Sequence, residues 1–65
     1  MILTERELQI LNLIAKEFTT EKISNYLNIS ISTVESHRRN MFKKMEVSSV
    51  VGLVKEALKK GLITI

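Results

Sequence analysis

Four polar side chains, Ser32, Glu35, Ser36 and Arg39, follow one another at intervals of three, one and three residues. Four cations, Arg38, Arg39, Lys43 and Lys44, fall within seven residues of the same stretch. On a helix with Val34 turned inward, the four polar positions face outward and carry groups suited to base edges or phosphates. Arg39 can donate two hydrogen bonds to O6 and N7 of a guanine. Glu35 can accept a hydrogen bond from N4 of a cytosine, or it can cap the helix locally if Ser32 is the N-cap. Lys43 suits a phosphate, and Lys44 suits either a phosphate or water. Competing chemistry is thin. His37 is the sole histidine, no cysteine is present, and no acid–base pair, nucleophile–base pair or Gly-rich phosphate loop occurs. No metal, cofactor or small-molecule ligand is expected, and an enzyme is the weakest reading.

Helices must position these groups. Proline is absent and glycine occurs only at 52 and 61, which suits helices joined by tight turns. Thr4-Glu5-Arg6-Glu7 is a capping box that opens a helix over about 4–17, with Leu8, Leu11, Ala15 and Phe18 as its apolar stripe and Ile14 beside it. Thr19 or Thr20 caps a second helix over 20–27, and Asn28 suits the left-handed residue that ends it. Ser30 or Ser32 caps a third over 31–45, whose inward positions are Val34, Met41 and Met45. A fourth spans about 49–60, with Leu53, Val54 and Ala57 inward and Gly61 as its left-handed terminator. The fold class is therefore all-α, and residues 1–65 are expected to form one domain.

Helices two and three are joined by only Asn28-Ile29-Ser30. So short a connection forces a steep crossing, which Ser24 is small enough to allow. Ile23, Leu27, Ile29 and Val34 supply the apolar wedge. This is the helix-turn-helix arrangement, whose second helix lies in a major groove, and a plain αα-hairpin is the alternative. Charge agrees without deciding. Residues 1–29 carry three cations and four glutamates, and residues 30–65 carry seven cations and three glutamates. The basic half is either a polyanion-facing surface or a solvated helix face.

Leu3-Thr4-Glu5-Arg6-Glu7, Leu11-x-Leu13-Ile14-Ala15, Ile23-x-x-x-Leu27-x-Ile29-Ser30-x-x-Thr33-Val34-x-x-His37-Arg38-x-Asn40 and Ala57-x-x-x-Gly61-Leu62-Ile63 together resemble the LuxR-type (GerE-like) helix-turn-helix domain. The match runs from 3 to 63 without a gap. The resemblance implies a four-helix output domain of bacterial transcription regulators that binds double-stranded DNA. Its third helix would read the groove, and its fourth would pair two copies on a two-fold operator. Expected base contacts are Ser32, Glu35, Ser36 and Arg39. Expected phosphate contacts are Thr20, Lys22, Thr33, His37, Arg38 and Lys43. Val51, Lys55 and Leu58 share one face of helix four and form the expected interface of a weak homodimer.

The chain departs from the family pattern at several places. Glu17 and Glu46 stand where glycine is usual. Thr20-Glu21-Lys22 replaces Asn-Lys-Glu, and Glu35 replaces a lysine. Val50 replaces an arginine, whose salt bridge or cap is lost. The longest apolar runs are far short of the ~20 residues a membrane span needs, and no secretory signal opens the chain, so a cytoplasmic location is expected. Two further readings stand beside this one. One is a sigma-factor type of promoter-reading domain, and the other is a non-DNA interaction module that uses the apolar face of helix four.

Overall fold

The computed structural model describes residues 2–64. Among them the chain forms four α-helices and no strand: α1 Glu5–Ala15, α2 Thr20–Leu27, α3 Ile31–Met45 and α4 Val50–Lys59. All four open in one way. The hydroxyls of Thr4, Thr19, Ser30 and Ser49 accept from the amides of Glu7, Lys22, Thr33 and Gly52, three residues on. Each such cap is worth about 1 kcal/mol. Of the paired candidates, Thr19 rather than Thr20 caps α2, and Ser30 rather than Ser32 caps α3. Gly52 is explained by the cap it completes. A Cβ there would lie 3.3 Å from the Ser49 hydroxyl and 3.5 Å from Cβ of Val47.

All four also close in one way. The amides of Phe18, Ile29, Val47 and Leu62 donate back to the carbonyls of Leu13, Ser24, Phe42 and Ala57. In each case the preceding residue is left-handed: Glu17, Asn28, Glu46 and Gly61, with φ of 66°, 56°, 56° and 72°. This is the Schellman closure, and its trailing apolar residue folds onto the core. It explains why α1 ends at Ala15 rather than at 17. Glu17 takes the left-handed turn that the helix cannot continue through. The loop after α1 thus keeps a glycine-type geometry with a glutamate in it. α4 is likewise one residue shorter at each end than expected, because Ser49 and Lys60 are its caps.

α3 packs against each of the other three helices, and α1 packs against α3 and α4. Ile10, Leu11, Ile23, Val34, Met41, Leu53 and Ala57 are wholly buried at their centre, ringed by Leu3, Leu13, Ile14, Met45 and Ile63. The expected inward faces of α3 and α4 hold, apart from Val54, which is half-buried. The expected stripe of α1 is corrected. Ile10, Leu11, Leu13 and Ile14 are buried, whereas Leu8, Ala15 and Phe18 are half-buried at the rim. A helix wedged between two others buries a wider arc than one row spaced at three and four. Ser24 is buried and its hydroxyl donates to the Glu21 carbonyl at 3.0 Å, so the small residue keeps its polar group satisfied.

Candidate nucleic-acid interface

With Val34, Met41 and Met45 buried, the opposite side of α3 is open. Ser32, Ser36, Arg39, Asn40 and Lys43 are exposed there, and Glu35, His37 and Arg38 are half-buried on its flanks. The four residues expected to touch bases therefore share the outward part of one helix, with Glu35 nearest the flank. Two of them are already joined. Nη2 of Arg39 donates to the Ser36 hydroxyl at 3.2 Å, which draws the guanidinium along the helix surface.

The expected phosphate contacts divide. Nη1 of Arg38 donates to the Thr20 hydroxyl at 3.0 Å and ties the first turn of α2 to the middle of α3. Four of the five guanidinium donors remain for a phosphate. Thr33 is exposed, and its hydroxyl lies 2.8 Å from that of Ser30, within the α3 cap. Lys43 is exposed in the last turn of α3. Lys22 is engaged elsewhere: its ammonium stands 4.5 Å over the Phe18 ring, which in turn meets Tyr26 edge-on at 5.8 Å. A cation over a ring face is held by the ring quadrupole.

Lys44 is exposed, and its charge has a partner that neither reading included. Its ammonium pairs with Oε1 of Glu7 at 2.7 Å, across 37 residues of sequence. Glu7 is almost wholly buried, and the same oxygen accepts from the Thr4 amide at 2.9 Å. Burial pushes the Glu7 carboxyl up, but Lys44 and the Thr4 amide and side chain together hold it below its ordinary value. The pair fastens α1 to α3. Nothing local in the sequence signals a contact between residues so far apart.

On α4, Val51 is 66% exposed and Leu58 is 39% exposed, and Lys55 is exposed between them. All three lie off the buried Leu53 and Ala57 row.

Residues 1–57 match the model of the bacterial regulatory proteins of the luxR family, GerE. The chain belongs to this luxR family. It is 49% identical over 63 residues to the uncharacterized response regulatory protein YgeK of Escherichia coli K12, covering 97% of this chain and 43% of that protein. It is 44% identical over 62 residues to the oxygen regulatory protein NreC of Staphylococcus carnosus, covering 95% of this chain and 29% of NreC. The luxR-family chain thus spans less than half the length of either relative. Among solved structures, the transcription factor GerE superposes with a TM-score of 0.93 at 34% identity, covering 98% of this chain and 96% of that one. The response regulator ChrA of a heme-sensing two-component system superposes with a TM-score of 0.91 at 26% identity, covering 94% of this chain and 30% of ChrA. The chain is a DNA-binding domain of the luxR-family, GerE-like type found in transcription regulators.

Proposed function

We propose that residues 1–65 act as one unit that reads double-stranded DNA by laying the exposed face of α3 in the major groove. The observation that carries this is the partition of α3 itself. One side is buried under Val34, Met41 and Met45, and the other presents Ser32, Ser36, Arg39 and Lys43. Ser32, Glu35, Ser36 and Arg39 address bases. Thr20, Thr33, His37, Arg38 and Lys43 address phosphates, and Lys22 joins them only by leaving Phe18. Val51, Lys55 and Leu58 pair two copies across a two-fold operator, in a homodimer that is weak alone and strengthened on DNA. The unit is the output module of a cytoplasmic regulator of transcription, without chemistry of its own.

Selection of bound sequences from random DNA, followed by titration at several salt concentrations, tests the register. Arg39→Ala lowers specific affinity by ~1–3 kcal/mol and relaxes preference at one base pair. Lys43→Ala weakens all sequences alike and reduces the salt slope by about one. An unchanged sequence preference in Arg39→Ala overturns the proposed register of α3.

A further inference from the structure

The large apolar side chains exposed among the described residues are Ile2, Tyr26, Ile31, Val50, Val51 and Leu58. Five of them have a place outside the reading helix. Ile2 precedes α1, Tyr26 sits against Phe18, and the other three belong to α4. Ile31 alone lies on α3. It is 49% exposed and belongs neither to the core nor to the half-buried apolar shell around it.

We propose that Ile31 is a specificity-determining contact that reads the C5 methyl group of a thymine. The inference rests on the reading of α3 as the groove helix and adds a base to it. Ile31 is the first helical residue after the cap, in the turn that reading helices direct at base edges. Its backbone is fixed there, because the Ser30 hydroxyl accepts from the Thr33 amide at 3.0 Å one turn along. A β-branched side chain on a helix keeps essentially one χ1 rotamer, so the aliphatic surface arrives already ordered.

The major groove offers few apolar marks. Among the four base-pair orientations, the methyl group of thymine is the one apolar feature. Isoleucine makes no hydrogen bond, so pressing it on any other edge strips water from a polar group without replacing it. The preference therefore has an attractive and a repulsive part. Glu35 lies four residues on, about 40° round the helix and about 6 Å along it. Base pairs stack about 3.4 Å apart, so Ile31 and Glu35 address pairs one or two steps from each other. Thymine methyl and cytosine N4 are both pyrimidine marks. The first two turns of α3 carry no cation, whereas Arg38, Arg39, Lys43 and Lys44 all lie in its later turns. The helix is thus divided into a pyrimidine-reading start and a basic remainder.

The test starts from the operator selected by the unaltered chain. Each thymine of a half-site is replaced in turn by deoxyuridine, which removes only the methyl group, and affinities are measured for the chain and for Ile31→Ala and Ile31→Val. At one thymine per half-site, uracil weakens the unaltered chain about fourfold, the worth of one buried methyl group. Ile31→Ala binds the thymine operator with that same weakened affinity and does not respond to uracil, whereas Ile31→Val keeps the response. Circular dichroism of the variants matches the parent, since the side chain is outside the core. Insensitivity to uracil at every thymine overturns the proposal, as does equal sensitivity in Ile31→Ala. If selection returns no preferred sequence at all, the groove-reading assignment of α3 fails instead, and the role of Ile31 falls with it.

Discussion

Two carboxylates with opposite surroundings show how position assigns a residue its work. Glu35 is half-buried on the flank of α3, and Ser30 caps the helix, which puts Ser32 inside its first turn. The capping box that Ser32 and Glu35 could have formed is therefore gone, and Glu35 has no local task competing with a base. Glu35→Lys is expected to change the selected operator at one base pair while the melting temperature stays within a few degrees, as for surface changes worth under about 0.5 kcal/mol. A variant that returns the parental operator removes Glu35 from the readout. Glu7 is the buried counterpart, with a carboxyl held below its ordinary value despite the upward push of burial. A lowered folded-state pKa means the unfolded chain binds more protons in acid. The contribution of Glu7 is thus full above about pH 4.3, the usual value for an unfolded glutamate, and is lost as pH falls through its folded value. Glu7→Gln should flatten the acid limb of a stability–pH profile and cost about 1–3 kcal/mol at pH 7, since Lys44 then faces an uncharged partner. An acid limb that keeps its slope in Glu7→Gln would show that other groups carry it.

At the scale of helices, the ends were more legible than the faces. Thr4 with Glu7, Asn28 and Gly61 are short-range patterns, and local hydrogen bonding decides them, so the sequence displays them openly, whereas it left Ser30 against Ser32 and Thr19 against Thr20 undecided. The α2–α3 wedge was legible because a three-residue connection limits how two helices can cross, and Ile23, Ser24 and Val34 are the small and apolar residues that a steep crossing buries. The buried arc of α1 was not, since it depends on where α3 and α4 lie. Nor was the Lys44–Glu7 pair, or the seat of Lys22 on Phe18, because long side chains choose among partners that only the fold assembles. Glu17 and Glu46 fall between these cases. Their departure from glycine was visible, but not that the backbone would keep a left-handed φ under them. A side chain other than glycine pays about 1 kcal/mol or more for that conformation. Glu46→Gly is accordingly expected to raise stability by about 1 kcal/mol and the melting temperature by several degrees, and Gly61→Ala to lower it comparably. At Gly61 an added Cβ meets nothing within 4 Å, so any loss there is conformational and not steric. Equal melting temperatures across the pair would mean that these turns relax on substitution.

For the whole molecule, size and charge bear on the proposed pairing of two copies. The longest dimension is 29 Å, whereas half-sites read from one face of DNA lie about 34–36 Å apart. One copy reaches one half-site. Its cations are concentrated in residues 30–65, on α3 and on the C-terminal half and cap of α4, so in the proposed complex phosphate attraction would hold each copy in place and the pairing would need another source. Pairing needs an apolar surface away from the groove, and α4 carries Val51 and Leu58 exposed on the side opposite its buried Leu53 and Ala57. In the proposed dimer two such side chains per copy would make a small interface, too small for a stable pair in solution, so the proposal has DNA bring the copies together. Leu58→Glu is therefore expected to leave the helical signal in circular dichroism unchanged, because the residue stands outside the core. It should leave affinity for a single half-site within about twofold and abolish cooperativity on a two-half-site operator, where two carboxylates would face each other across the axis. Both quantities come from gel-shift titrations on the two DNAs. If cooperativity survives in Leu58→Glu, the copies meet through another surface; if the helical signal is lost, Leu58 supports the fold of the single copy.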